Sequence, residues 1–278
     1  MLNNFLYTLL YTWVKLHALL PMRVLYVLSD IFYFFVYKLI GYRLKVVRRN
    51  MKKSFPEKSE SELRKLEQEF YHHFCDYIVE TLKLAHVSLD ELQRRAYLSN
   101  PELVDELMEK GHTCFILLMG HYGNWEWFCG STNRFKKAHI YQVYRPLKNQ
   151  AFDRLFIRLR NKFGARGIKK NDTIRDIIKL KQEKTPSVVV FLADQTPSKA
   201  NLHYWTSFLN QESSILTGPE RIARKYFKDE DPIGKILIFT GTYDKVSCEV
   251  TGVMKEMPSN SHIHYNFPAS GLPSPHTG

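Results

Sequence analysis

His121 and Glu126 stand in the stretch ILLMGHYGNWEW, Ile116 to Trp127, with glycines at 120 and 123 between an apolar run and an aromatic one. A histidine paired with a carboxylate can act as a general base, because the acid fixes the ring tautomer and stabilises the imidazolium. On a continuous helix these two side chains would point about 140° apart and could not cooperate. Gly120 and Gly123 break such a helix and permit a tight turn, and Asn124 can cap a new helix beginning at Trp125. Glu126 is then expected in the first turn of that helix, reaching back to the imidazole.

The spacing alone is a weak signal. Acidic residues are 28 of 278, so eleven histidines should produce roughly one such pattern by chance. A second instance, His86 to Glu91 in HVSLDE, follows a helical stretch, has no glycine and ends in a capping signal, so it reads as structural. The strand–Gly–His–x–Gly–Asn–helix setting is what distinguishes His121. Other chemistries lack their parts: there is no G-x-S-x-G elbow, no H-E-x-x-H and no phosphate-binding glycine loop. Cys75, Cys114, Cys129 and Cys248 have no metal-type spacing and read as buried, reduced thiols. No metal or cofactor is therefore expected. A histidine activating the substrate's own hydroxyl, with no covalent enzyme intermediate, fits direct acyl transfer best.

The elements that must position these residues alternate along the chain. A capping box at Ser59 and Glu62 opens a helix on which Leu63, Leu66, Phe70, Phe74, Tyr77, Ile78 and Leu82 recur at helical spacing. Ser88 and Glu91 open a second helix; Asn100-Pro101 opens a third, closed at Gly111. TCFILLM and SVVVFLADQ read as strands buried on both faces, HIYQVYR as a strand, and NQAFDRLFIRLRNKFG, DTIRDIIKLKQEK and TGPERIARKYF as helices. Thr217 and Glu220 form a further capping box. This alternation predicts an α/β fold, with an open, largely parallel sheet flanked by helices. Reactive groups in such sheets lie at the carboxyl ends of strands, where His121 falls.

The amino-terminal 42 residues differ in kind. They are rich in aromatic and aliphatic residues, and a basic cluster follows: Arg43, Lys45, Arg48, Arg49, Lys52 and Lys53. The run Val24 to Tyr37 is interrupted by Ser29 and Asp30, and it is shorter than the ~20 apolar residues of a spanning helix. A small-residue cleavage site is missing, so neither removal nor export is expected. The segment reads as a membrane-inserted or interfacial helical anchor with its basic cluster at anionic headgroups; a pair of core helices is the alternative. A net charge of +12 favours an anionic partner. Nucleic acid would account for the charge, but not for the amino terminus or the His–Glu turn.

GHYGNWEW, VYRPLKN, FLADQTP and FLNQESSILTGPERIARK, in this order, resemble the lipid A late (lauroyl/myristoyl) acyltransferases, and RRNMKKSFPEKSESE fits the same family. The resemblance covers about residues 1 to 227. It implies an enzyme at the cytoplasmic face of the bacterial inner membrane, moving an acyl chain from acyl carrier protein to a hydroxyl of a lipid A precursor. His121 would then be the general base and Glu126 its orienting partner. Arg145 could hold a phosphate or the thioester oxyanion, or simply form a surface salt bridge. Asp194 and Gln195, at the end of the second buried strand, could hold the sugar head or shape the pocket; a helix cap is the alternative reading. Gly218 would allow close approach of the next helix. Arg166 and Lys170 read as a solvated basic face. An acidic carrier protein and a phosphorylated precursor would both suit the chain's charge. A glycerolipid, aminolipid or other glycolipid acceptor, and an inactive relative, remain alternatives.

Residues 228–278 depart from the family's pattern. They carry 4 Lys against 6 acidic residues, and 5 of the 12 prolines. GKILIFTGTY and KVSCEVTGV could pair as strands, and the last twenty residues look disordered. The expected division is a membrane-associated segment over 1–42, an acyltransferase domain over 43–227, and a tail altered by truncation or frameshift.

Overall fold

Two helices open the chain, α1 (Leu2–Leu19) and α2 (Met22–Tyr33), the second running on into a π-helical turn over Phe34–Ile40. Gly41, at φ +63°, ends that turn, and the basic helix α3 (Leu44–Ser54) follows. Next come α4 (Glu60–Lys83), α5 (Leu89–Arg95), a two-residue strand β1 (Tyr97–Leu98) and α6 (Glu102–Glu109). The central elements are β2 (Cys114–Met119), a 3-10 helix over Trp125–Arg134, β3 (His139–Tyr144), α7 (Gln150–Asn161), β4 (Arg166–Lys169), α8 (Thr173–Gln182) and β5 (Ser187–Leu192). Two hairpins complete the described chain: β6 (Trp205–Phe208) with β7 (Gln211–Ser214), and β8 (Lys235–Thr240) with β9 (Lys245–Val250). This computed structural model describes residues 2–98, 101–135, 137–198, 202, 204–219, 221–222, 235–240 and 245–250. Glu220 of the expected capping box and the last twenty residues lie outside that range.

The sheet that positions the site has the order β2-β5-β3-β4 and is parallel throughout. β2 and β5 are buried on both faces, as their continuous apolar runs predict, whereas β3 and β4 are partly exposed. Phe115, Leu117 and Met119 of β2, with Val188 and Val190 of β5, enter the core shared with α1, α2, α4, α5, α6 and α7. Cys114, Ile116, Val189 and Phe191 face the opposite side, against Ile177 and Leu180 of α8. Helices thus cover both faces, as the sequence pattern requires. Cys75, Cys114 and Cys129 are free and buried, as expected. The strands expected in the carboxyl tail pair antiparallel as β8 and β9, and β8 also pairs with β1.

The buried face of α4 overlaps the one that the apolar spacing marks, with Phe74 and Leu82 packed against the core, but it extends to polar residues. Phe70 is 41% exposed, while Glu67, Tyr71, Cys75, Val79, Glu80 and Lys83 are buried. The charged members are tolerated because each has hydrogen-bonding partners. Glu67 accepts from Tyr37 and from the Arg48 guanidinium, at 2.7 Å each. Lys83 Nζ donates to the carbonyls of Ala18 and Leu20 at 2.9 and 2.8 Å, capping the carboxyl end of α1. Glu80 accepts from Tyr26 of α2 at 2.8 Å. The amino-terminal helices are therefore docked on α4 by buried polar bonds.

Candidate active site

The parallel register explains how the site assembles. Met119 of β2 lies opposite Leu192 of β5, and the Ala193 amide continues the ladder by donating to the Met119 carbonyl at 2.9 Å. Each strand then runs two more residues, to His121 on one and Asp194 on the other. One Asp194 oxygen accepts from the backbone amide of His121 at 2.7 Å, and the second lies 2.6 Å from Nδ1 of its ring. The carboxylate thus grips both the main chain and the side chain of the same residue. Burial would raise the Asp194 carboxyl, but the bonds from the His121 ring and backbone outweigh it and hold the group below its usual range.

This contact sets the tautomer. With Nδ1–H donating to Asp194, Nε2 carries the lone pair, and the Gln195 amide nitrogen lies 3.1 Å from it, placed to donate. The side chains of His121 and Asp194 are 23% and 28% exposed, so the pair can be reached from outside at the rim of the sheet. The Trp125 ring meets the imidazole edge-on at 4.7 Å, and Tyr77 of α4 stacks behind Trp125 at 4.4 Å.

Glu126 does not reach the imidazole. It sits in the first turn of the helix that begins at Trp125, as expected, yet its side chain is buried against α7, where Arg160 donates Nε to Oε2 at 2.7 Å and Nη2 to Oε1 at 2.6 Å. That bidentate pair occupies both carboxylate oxygens. Burial would lower the Arg160 guanidinium, and the bond to Glu126 raises it instead. Arg160 was not singled out in the sequence; the available signal was its place beside the buried Leu155 and Leu159 on an amphipathic helix.

The glycines play different parts. Gly123, at φ +56°, makes the turn that the sequence suggests. Gly120 does not have positive φ; a Cβ there would lie 3.3 Å from Asp194 Oδ2, so its hydrogen makes room for the carboxylate. Asn124 occupies the cap position but makes no side-chain cap, donating instead to Glu80 Oε2 at 2.8 Å. Arg145 is exposed immediately after β3, at the same carboxyl edge of the sheet as His121. Gly218 begins a helical stretch, and a Cβ added to it meets nothing within 4 Å among the described residues, so none of these requires glycine there by close approach. Arg166 lies over the Tyr141 ring, 5.9 Å from its centroid, and Lys170 is exposed.

The structure therefore offers a basic imidazole nitrogen oriented by a carboxylate, at the open edge of a parallel sheet. Such a group can take a proton from a hydroxyl and return it to a leaving group. No protein with a curated description matches the chain. A family model described as bacterial lipid A biosynthesis acyltransferase matches residues 1–263, running past residue 227, where the motif resemblance ends, and taking in the β8–β9 hairpin. The match spans nearly the whole chain, and the protein belongs to the bacterial lipid A biosynthesis acyltransferases.

Proposed function

We propose that this acyltransferase moves a fatty acyl chain from acyl carrier protein to a hydroxyl of a lipid A precursor, with His121 as general base. The observation that carries this reading is the Asp194–His121–Gln195 chain of contacts, which leaves Nε2 as the basic nitrogen. The acceptor hydroxyl displaces the Gln195 amide and gives its proton to Nε2 as its oxygen attacks the thioester carbonyl. The carbon–sulfur bond then breaks, and the imidazolium returns the proton to the departing thiolate. Asp194 stabilises the imidazolium between these steps. Glu126 acts through Arg160, tying the helix after the catalytic turn to α7. Arg145 is positioned at the sheet edge to meet phosphate on the acceptor or charge on the thioester oxygen. The exposed apolar face of α1 and α2, with the basic α3, supports a reading in which this edge works at the cytoplasmic surface of the inner membrane.

The test is a transfer assay with acyl carrier protein donor and lipid A precursor, products being identified by mass spectrometry. His121→Ala should lower the rate roughly 10²–10⁴-fold. Asp194→Asn should cost on the order of 10⁴-fold, because an amide facing Nδ1 can favour the tautomer that protonates Nε2. Transfer to a phospholipid but not to the precursor would reassign the acceptor, and full activity in His121→Ala would refute the mechanism.

A further inference from the structure

Glu80 is a carboxylate only 6% exposed, and both its side-chain oxygens accept hydrogen bonds from neutral groups. Oε1 accepts from the Tyr26 hydroxyl of α2 at 2.8 Å, and Oε2 accepts from the Asn124 amide at 2.8 Å. Its backbone carbonyl accepts from the Trp127 indole at 3.1 Å. Burial raises the carboxyl above its ordinary range, with Asp76 adding to the rise, while Asn124, Tyr26 and His73 oppose it. A carboxylate in this setting is a costly way to join helices, since an apolar side chain would pack there without losing hydration. Its distinctive contribution is two acceptor oxygens at a fixed separation, one for α2 and one for the turn after His121.

That turn needs an external hold. Asn124 does not cap its own helix, and Gly123 has no side chain to pack. Asp194 fixes the turn at His121, and Glu80 fixes it three residues later. Trp125, the next residue, touches the imidazole, with Tyr77, one turn before Glu80 on α4, stacked behind it.

We propose that Glu80 is a positioning residue for acyl transfer, holding the His121 turn in place through Asn124. The proposal rests on His121 acting as the base. A glutamine at this position can keep the geometry, its oxygen accepting from Asn124 and its amide donating to the Tyr26 oxygen. Alanine cannot.

The test compares Glu80→Ala, Glu80→Gln, Asn124→Ala and Tyr26→Phe in transfer kinetics, with hydrogen exchange over residues 120–128 as a readout independent of activity. Glu80→Ala should lower kcat per folded molecule roughly 10- to 100-fold, as expected for a misplaced base, with KM for the donor little changed. Asn124→Ala should do the same, and the double variant should be no worse than either single one. Glu80→Gln should restore kcat to within about threefold, and Tyr26→Phe should leave it nearly intact. Exchange in the turn should quicken in both alanine variants and not in Glu80→Gln. If Glu80→Ala does not fold, Asn124→Ala carries the same test. Wild-type kcat and exchange in Asn124→Ala, additive losses, or a Glu80→Gln variant as impaired as Glu80→Ala would overturn the proposal. A wild type without transfer activity would overturn the acyltransferase mechanism instead, leaving the exchange pattern to decide whether Glu80 holds the turn.

Discussion

At the scale of single residues, the carboxylate on His121 is not the one that spacing suggests. Asp194 is on the imidazole, while Glu126 is buried on Arg160. The two should therefore fail differently when neutralised. Glu126→Gln strands Arg160, which is only 23% exposed, beside an uncharged partner. Breaking a buried pair from one side costs about 3–5 kcal/mol, and the partial exposure of Arg160 places this case near the lower end. Thermal unfolding of Glu126→Gln should thus begin several degrees earlier, and Asp194→Asn should unfold close to the wild type. Equal unfolding temperatures for wild type and Glu126→Gln would remove the structural role. The position of His121 was legible because a strand, two glycines and an asparagine mark a turn at a sheet edge. Its partner was not, because Asp194 becomes a neighbour only when β5 inserts beside β2, and no local pattern states that strand order.

At the scale of elements, sequence patterns located β2, β3, β5 and the helices from α4 to α8, and capping signals located the starts of α4 and α5; the short strands β1, β4, β6 and β7 carry no such pattern. The face of α4 was only partly legible, for a physical reason. Apolar spacing assumes that charged residues face water, whereas Glu67, Glu80 and Lys83 face inward and are bonded to the amino-terminal segment or to the turn after His121. The glycine turn allows a sharper prediction, since its two glycines are needed for different reasons. Gly123→Ala forces a side chain into the left-handed region, at about 1–2 kcal/mol, with open space around the new methyl group. Gly120→Ala meets no such backbone penalty but presses on Asp194 Oδ2. Gly123→Ala should therefore lower the unfolding temperature, and Gly120→Ala should lower kcat more than stability. Measuring both quantities in both variants checks this; a reversed pattern would mean that the turn, and not the carboxylate, depends on Gly120.

At the scale of the molecule, the question is how a strongly basic protein with an apolar amino terminus meets a membrane. No single described helix is long and apolar enough to cross one; α1 and the α2–π segment pass that test only together, and they are bent by 119° at their junction. Phe5, Leu9, Trp13 and Leu16 form an exposed row along α1, and Val24, Val27 and Ile31 form one along α2. The opposite side of α1 is docked, with Arg154 over the Tyr7 ring at 4.1 Å and Arg158 over Tyr11 at 4.0 Å. Crossing a bilayer would require α1 to leave these cations or carry them into hydrocarbon, which is unfavourable. On a membrane, α1 and α2 are therefore expected to lie in the plane of one leaflet, with the exposed Arg49, Lys52 and Lys53 of α3 available to headgroups. Binding should then have separable apolar and electrostatic parts. Replacing Leu9, Trp13 and Leu16 by serine should weaken flotation with vesicles at any salt concentration. Replacing Arg49, Lys52 and Lys53 by glutamine should remove the preference for anionic over neutral vesicles, at about 1 kcal/mol per charge. Flotation unchanged by the serine substitutions would exclude the in-plane surface, and protease access to the amino terminus only from inside sealed vesicles would show that the segment crosses instead.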